Sequence, residues 1–295
     1  MVEEKKRINA SEKLFQVVLT MSFIVLSFIC IFPFLNVFSI SFSSSTAILS
    51  GDVTLWPVGW NFEAYERVIG NPGFVRSFFY TVFLTAVYTA IAMIISICAA
   101  YPLSRKELKG RNIIMMFIIF TMYFDGGIIP NYLIVRDVGL LDSMWALIIP
   151  CMLSAYNLII LRSFFSSIDD SIKEAAYLDG CSEMGILLKI VLPLSVPAIA
   201  TLSLFYAITR WNGVGDAIFY ISDPDKFPLQ LKLREIIMME QISQQEASQG
   251  VEQQKTMAES VKAASIIATT VPILLVYPFI QKYFTQGLML GSVKG

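Results

Sequence analysis

Histidine is absent from this 295-residue chain, and charged residues make up only 15% of it. Without histidine the chain lacks the commonest general base, the commonest zinc ligand and any histidine-dependent catalytic triad. The four cysteines show no CxxC spacing, so they indicate neither a zinc site nor a disulfide framework. We therefore predict no catalytic residues, no metal site and no cofactor in this chain, and expect Cys30, Cys98 and Cys151 to be small buried hydrophobic side chains.

Two further absences concern partners. The 22 lysines and arginines are balanced by 23 aspartates and glutamates, so no basic field exists to hold nucleic-acid phosphates. The sequence also contains no Gly-x4-Gly-Lys-Ser/Thr motif, which excludes a P-loop for nucleotide phosphates. If ATP drives this protein, we expect a separate subunit to hydrolyse it.

Apolar residues are in excess: they make up 56% of the chain, and its mean hydropathy is +0.65. Soluble chains carry roughly 45–50% apolar and about 25% charged residues, so this composition indicates that lipid is the solvent. Six apolar segments are long enough to cross a bilayer, at about 14–40, 74–103, 112–134, 142–162, 193–213 and 262–284. They predict an all-α integral membrane protein with six transmembrane helices.

Lysine and arginine are concentrated on one side of these predicted spans. Residues 1–13 carry four of them, and the short loop 104–111 carries four more. The positive-inside rule therefore places both termini in the cytoplasm of a plasma-membrane protein. The domain prediction is a cytoplasmic tail at 1–13, a six-helix transmembrane domain at 14–285 and a second cytoplasmic tail at 286–295. The polar 214–261 loop is either helical with loose ends or a disordered linker.

The cytoplasmic connection 163–193 is too polar to cross the membrane and too apolar for an idle linker. Asp169, Asp170 and Ser171 are typical helix N-cap residues, and they precede a predicted helix at 172–178. Gly180 permits a sharp turn, after which a second helix is predicted at 182–190. Pro193 is expected to open the fifth span. We call the connection 163–193 the elbow, and interpret it as a surface that another protein contacts and displaces.

A signature sequence runs through the elbow with the spacing EAA-x3-G-x9-I-x-LP. Its members, with the adjoining Asp179, are Glu174, Ala175, Ala176, Asp179, Gly180, Ile190, Leu192 and Pro193. The pattern resembles the EAA motif of permease subunits of bacterial ATP-binding-cassette importers. The Val293-Lys294-Gly295 end and the Trp211-Asn212 pair are similar to the carbohydrate branch, which includes the smaller maltose-transporter membrane subunit. Residues 126–142 resemble a subgroup for complex oligosaccharides.

This resemblance implies a type I importer fold with cytoplasmic coupling helices. It further implies half of a heterodimeric pore shared with a second permease, two ATPase subunits that bind ATP and Mg²⁺, and an extracellular solute-binding protein that delivers an oligosaccharide. Glu174 would orient the elbow by an ion pair, Ala175 and Ala176 would allow close docking, and Gly180 would make the turn. An ordinary solvated role for Glu174 is the alternative.

Sugar recognition requires aromatic faces and polar rims, which suggests a set of residues in or near the spans. The candidates for the substrate path are Tyr123, Asp125, Tyr156, Asn157, Phe205, Tyr206, Trp211 and Asn212. Asn157 could equally bond a neighbouring helix. Trp56, Trp60 and Trp211 could anchor the chain at the membrane interface.

Two other function classes remain to be weighed. An ion-coupled transporter needs charged groups buried within its spans, and a membrane enzyme needs a catalytic constellation. The spans carry few charges, and their other basic residues lie within two positions of a span end, so Arg210 is the only basic candidate for the substrate path. We therefore expect a neutral or weakly acidic cargo, unless other subunits hold an anionic one.

Overall fold

The computed structural model describes residues 10–246, 259–276 and 278. Every regular element in this part of the chain is helical, which confirms the predicted all-α class. The α-helices are α1 (Ala10–Ser41), α2 (Ser45–Leu49), α3 (Glu63–Gly70), α4 (Pro72–Ser104), α5 (Arg111–Tyr123), α6 (Ile128–Asp137), α7 (Ala155–Ser167), α8 (Asp170–Leu178), α9 (Glu183–Ile186), α10 (Leu192–Leu194), α11 (Val196–Trp211), α12 (Gly215–Tyr220), α13 (Leu229–Glu246) and α14 (Glu259–Val276). Short 3₁₀ turns lie at Met144–Leu147, Ile149–Cys151 and Pro224–Lys226, and a π-turn at Leu187–Val191.

Three of these helices, α1, α4 and α14, are long and apolar enough to cross a membrane alone. Three bent pairs reach the same length and hydropathy, which makes six candidate spans if each pair counts as one. The pairs are α5 with α6, the 3₁₀ turns Met144–Cys151 with α7, and Glu183–Leu194 with α11. The segments agree with the six predicted spans in number, but half of them are broken.

Each break has a local chemical cause. The chain bends by 112° between α5 and α6, where Gly127 adopts a φ of +86° and Asp125 Oδ1 accepts the Gly127 N–H at 3.0 Å. The 52° bend before α7 follows Pro150 and ends where Ser154 Oγ caps the helix by accepting the Asn157 N–H. Prolines and left-handed glycines interrupt helical bonding, and neighbouring side chains replace the lost bonds.

The chain divides into two compact units, Met1–Asn71 with Ile236–Ala268 and Pro72–Glu235 with Thr269–Gly295. In the first unit, the apolar side chains of α1 are exposed along nearly its whole length. The segment after α1 folds back on its end, where the Phe42 and Tyr65 rings stack at 4.6 Å and Asn36 donates to the Thr54 carbonyl. Trp56 and Trp60 are both exposed beside this cluster, as interfacial anchors would be.

The second unit is organised around α4, which packs against α7 and α11. Buried residues recur on α4 every three or four positions, as one face of a helix requires: Phe74, Ser77, Thr81, Leu84, Tyr88, Ala92, Ser96 and Ala100. Leu158, Leu161 and Phe165 of α7 and Leu202 of α11 complete the core. The opposite side of α4 exposes large apolar side chains, as a surface in contact with lipid does.

Several expectations about single residues need correction or fall outside the described part. Cys30, Cys98 and Cys151 are exposed rather than buried, because each lies on a side of its segment that the core does not cover. The 214–261 loop is helical over α12 and α13, and its residues 247–258 lie outside the described residues. Most of the two tails, 1–13 and 286–295, and the end of the sixth predicted span also lie outside them.

A polar side chain of α4 accepts a hydrogen bond from a backbone N–H that has no partner within its own helix. Thr81 Oγ1 accepts the N–H of Leu229, the first residue of α13, at 2.7 Å, and both residues are fully buried. Thr89, two turns further along, has a buried hydroxyl without a hydrogen-bond partner among the described residues. Thr81 and Thr89 therefore differ in whether the buried hydroxyl has a hydrogen-bond partner within the described part of the chain, which makes Thr89 a control for Thr81.

We predict that Thr81→Val lowers the free energy of unfolding by about 1–3 kcal/mol, because it keeps the volume but leaves a buried N–H unsatisfied. Thr89→Val serves as the control and should be nearly neutral. Thermal unfolding of the purified protein in detergent measures both, and equal losses for the two variants would contradict the assignment.

Candidate functional site

The elbow begins with the predicted N-cap. Asp169 Oδ1 accepts the Ser171 N–H at 3.0 Å, and α8 starts at the next residue, Asp170. The backbone and side-chain hydrogen bonds from Ser171 hold the pKa of Asp169 below its usual value. The first helix of the elbow is therefore two residues longer than the predicted 172–178, because Asp169 caps it two positions earlier than a helix starting at residue 172 would require.

Gly180 ends α8 in a Schellman motif. The N–H of Cys181 donates to the Ala176 carbonyl at 2.9 Å, and the N–H of Gly180 donates to the Tyr177 carbonyl at 3.0 Å. Gly180 itself has a φ of +79°, in the left-handed region that opposes a side chain. A Cβ there would meet no atom within 4 Å, so the constraint on this position is the backbone conformation alone.

The two faces of α8 have different environments. Ala176 and Lys173 are buried against the chain's own core, whereas Glu174, Ala175 and Asp179 are exposed. Of the two alanines expected to allow docking, only Ala175 is therefore open to another protein. Ala176 instead lets α8 lie close to the core of the second unit.

Asp170 holds the ion pairs of α8. Its carboxylate contacts Lys106 Nζ at 2.8 Å and the buried Lys173 Nζ at 3.1 Å. The hydrogen bonds from these two ammonium groups, from Lys106 above all, lower the pKa of Asp170 to about 2. Because the pKa of Asp170 is lower in the folded chain than in the unfolded chain, its charged carboxylate stabilises the fold at any pH above the unfolded pKa. This stabilisation is lost only as the pH falls toward 2, so the contact does not change at physiological pH. Glu174 makes no ion pair with any residue that the structure describes.

The second half of the signature forms one bent element rather than the predicted helix 182–190. Ser182 Oγ caps α9 by accepting the Gly185 N–H, and the chain then widens into the π-turn, where the Leu192 N–H donates to the Leu187 carbonyl. Pro193 lacks an N–H and its ring would clash with the carbonyl four residues earlier, which explains the widening. Pro193 lies within α10, before the 81° bend that separates Glu183–Leu194 from α11. The expectation that Pro193 opens the fifth span is therefore wrong, because the bent pair starts at Glu183 and α11 starts at Val196.

Ile190 and Leu192 of the signature pack against the core, while Pro193 is exposed. Beside α8, a cavity of about 770 Å³ opens between the end of α4, the basic turn after it and the elbow. Its lining includes Arg105, Lys173, Glu174 and Glu183. The signature thus brings its charged positions together with residues 105–108, which the sequence pattern did not connect to it.

The substrate-path candidates lie in two environments. Tyr123, Asp125, Tyr156 and Asn212 are exposed, Phe205 is half-buried, and Asn157, Tyr206 and Trp211 are buried. The Tyr206 hydroxyl bonds Ser96 Oγ at 2.7 Å and accepts the Ser154 N–H at 3.2 Å. Trp211 donates from Nε1 to the Thr269 carbonyl at 3.3 Å. These two aromatic groups already have partners inside the chain, and their contact with a sugar stays a prediction.

Arg210 is the buried cation near the end of α11. Its guanidinium binds the Asp216 carboxylate through two contacts, at 2.6 and 2.9 Å, and also donates to the Leu147 carbonyl at 2.7 Å. Only 3% of its side chain is exposed. Its charge is therefore neutralised within the chain, so it joins α11, α12 and the turn before α7 rather than facing a ligand.

Comparison with known proteins places this geometry in a family. The model of the "Binding-protein-dependent transport system inner membrane component" family matches residues 92–289. The polygalacturonan/rhamnogalacturonan transport system permease protein YtcP of Bacillus subtilis is 43% identical over 96% of this chain and 99% of its own length. Protein LplC of the same organism is 41% identical over 90% of each chain.

A solved structure is similar over almost the whole chain. It is the crystal structure of a bacterial ABC transporter involved in the import of the acidic polysaccharide alginate. One of its chains superposes with a TM-score of 0.85 at 35% sequence identity, covering 94% of this chain and 98% of that one.

We predict that Gly180→Val destabilises the end of α8 by about 1–2 kcal/mol, since a β-branched residue resists the left-handed conformation. Gly180→Asn should lose much less, because asparagine tolerates this conformation. Amide hydrogen exchange at residues 176–181 measures the effect. Equal protection in all three proteins would contradict the role assigned to the glycine.

A second prediction concerns the buried ion pair. Arg210→Gln should lower the free energy of unfolding by about 3 kcal/mol, because Asp216 is left as an uncompensated charge. The double variant Arg210→Gln/Asp216→Asn should recover part of the loss. If thermal unfolding in detergent shows no recovery, the two side chains do not act as a pair.

Proposed function

Because the chain belongs to the family of binding-protein-dependent transport system inner membrane components, we propose that it forms half of the pore of an ATP-driven importer of acidic oligosaccharides. It is a membrane-embedded transport subunit and not an enzyme. The observation that carries the choice of cargo is the similarity, over more than nine-tenths of the chain, to a polygalacturonan/rhamnogalacturonan permease and to a subunit of an alginate importer.

The proposed assembly needs three kinds of partner. A second permease completes the pore as a heterodimer, two ATPases bind ATP and Mg²⁺, and an extracellular solute-binding protein delivers the sugar. The elbow supports this arrangement, since Glu174, Ala175 and Asp179 project outward from a helix whose other side is fixed to the core. In this proposal both termini face the cytoplasm, together with the elbow and the basic turn 104–111.

Transport follows from movement of the elbow. When ATP closes the two ATPases, the elbow is displaced and the spans rock between inward-open and outward-open states. Gly180 keeps the turn after α8 sharp, and Ile190 and Leu192 join the elbow to the core. Glu174 remains available for a contact with an ATPase, because it has no ion-pair partner among the described residues of its own chain.

The proposed acidic cargo differs from the neutral or weakly acidic cargo that the sequence led us to expect. A scarcity of basic residues in the spans favoured a neutral or weakly acidic sugar, and Arg210 is indeed occupied by Asp216. Full-length similarity to carriers of acidic polysaccharides carries more weight, because the second permease and the solute-binding protein can supply the cations. The exposed candidates for contacts with the sugar on this side of the pore are Tyr123, Asp125, Tyr156 and Asn212.

An ion-coupled mechanism has less support. Such a carrier requires a buried group that binds and releases an ion. Among the described residues, the charged side chains classed as buried are Lys173, in the elbow, and Arg210, which is paired with Asp216.

The test is uptake by the complete complex in proteoliposomes, with uronic and neutral oligosaccharides of equal length. We expect ATP-dependent uptake of the uronic sugar, without an ion gradient, and uptake of the neutral sugar at least about tenfold lower, the effect of one lost charged contact. Arg210→Gln should reduce the amount of folded complex and leave this preference unchanged. Preference for the neutral sugar would overturn the proposed cargo, and uptake driven by an ion gradient without ATP would overturn the proposed mechanism.

A further inference from the structure

Glu183, the first residue of α9, accepts hydrogen bonds from two other helices. Its Oε2 accepts the Tyr101 hydroxyl at 2.6 Å, and its Oε1 accepts the hydroxyl of Tyr177. Tyr101 lies in the last turn of α4, and Tyr177 lies near the end of α8. One carboxylate therefore connects the end of a membrane-spanning helix to both helices of the elbow.

Arg105, the residue that follows α4, strengthens the same junction. Its Nη2 lies 3.5 Å from Glu183 Oε1 and donates to the Tyr177 hydroxyl at 2.8 Å, while its guanidinium carbon lies 5.4 Å from the centre of the Tyr177 ring. The Arg105 side chain is only 16% exposed, whereas the Glu183 side chain is 57% exposed, so water reaches the carboxylate but screens the guanidinium less than in a pair exposed on both sides. Side chains that share partners in this way lose less conformational freedom per contact than isolated pairs.

A second contact joins the same two segments. Lys106 Nζ binds Asp170 at 2.8 Å at the beginning of α8, one helix length from Tyr177. Lys106 is 76% exposed, so this pair contributes less than the Glu183 contacts. The end of α4 is therefore held to α8 at both ends of that helix.

We propose that Glu183 is a positioning residue that locks the elbow to the end of α4, so that the elbow and α4 move as one body during transport. This proposal rests on the proposed function and adds a second route for the movement. The chain itself joins the elbow to α7 at one end and to α11 at the other, whereas Glu183 joins it to α4, which packs against both of those helices. Without the lock, a push on α8 would be absorbed by bending at the glycine turn between α8 and α9.

The test compares Glu183→Gln with Glu107→Gln in the complete complex. Glu107 is exposed in the same region, and among the residues that the structure describes its one ion pair is a 3.7 Å approach to Arg105 within its own turn. We expect Glu183→Gln to lower the sugar imported per ATP hydrolysed by about tenfold, as loss of a charged hydrogen bond would, while ATP hydrolysis continues. Glu107→Gln should stay within about twofold of the unsubstituted complex.

Two milder variants keep the test decisive if Glu183→Gln fails to assemble. Tyr101→Phe and Tyr177→Phe each remove one hydroxyl from the junction, and both should lower the same ratio in the same direction. Their combination with Glu183→Gln should add little further loss, because all three act through one contact. Unchanged ratios in both tyrosine variants would overturn the proposal.

A structural readout separates this proposal from the proposed function. Amide hydrogen exchange should become faster at 100–106 and 177–184 in Glu183→Gln, and should not change in Glu107→Gln. If the unsubstituted complex imports no sugar, the proposed function fails, and exchange still decides whether the lock exists. Equal exchange in the two glutamine variants would show that Glu183 does not join the segments.

Discussion

Hydrocarbon cannot donate or accept hydrogen bonds, and this constraint governs the whole chain. Every backbone group within the spans must find a partner in the protein, so the chain is helical wherever it is apolar. The same constraint applies where the spans break. Asp125 accepts the backbone N–H of Gly127 at one break, and Ser154 caps α7 at another. At these breaks, polar side chains supply the hydrogen bonds that the helices lose.

Helix α4 joins other helices of the second unit through hydrogen bonds along its length. Thr81 accepts the first N–H of α13, Tyr88 donates to the Cys151 carbonyl, and Ser96 bonds Tyr206. At its end, Tyr101 and the following Arg105 contact the elbow. A single unbroken helix thus contacts the core along its length and the elbow at its end.

The elbow combines two kinds of interaction with different functions. Backbone geometry shapes it, through the Asp169 cap, the Gly180 turn and the π-turn before Pro193. Charged and hydroxyl side chains then attach it to the rest of the chain, through Asp170 and Glu183. This division leaves the outward positions of α8, Glu174 and Ala175, exposed.

The sequence by itself determined the class of the protein, the number of its candidate spans, the elbow and the need for glycine at position 180. These follow from composition and from interactions between near neighbours in the chain, which a sequence displays directly. It did not reveal the bends within three spans, the burial of Ala176 and Tyr206, or the pairing of Arg210 with Asp216. Only the tertiary structure could place Glu183 beside Tyr101, 82 positions earlier, because contacts between distant segments depend on how helices pack and leave no periodic pattern in either segment.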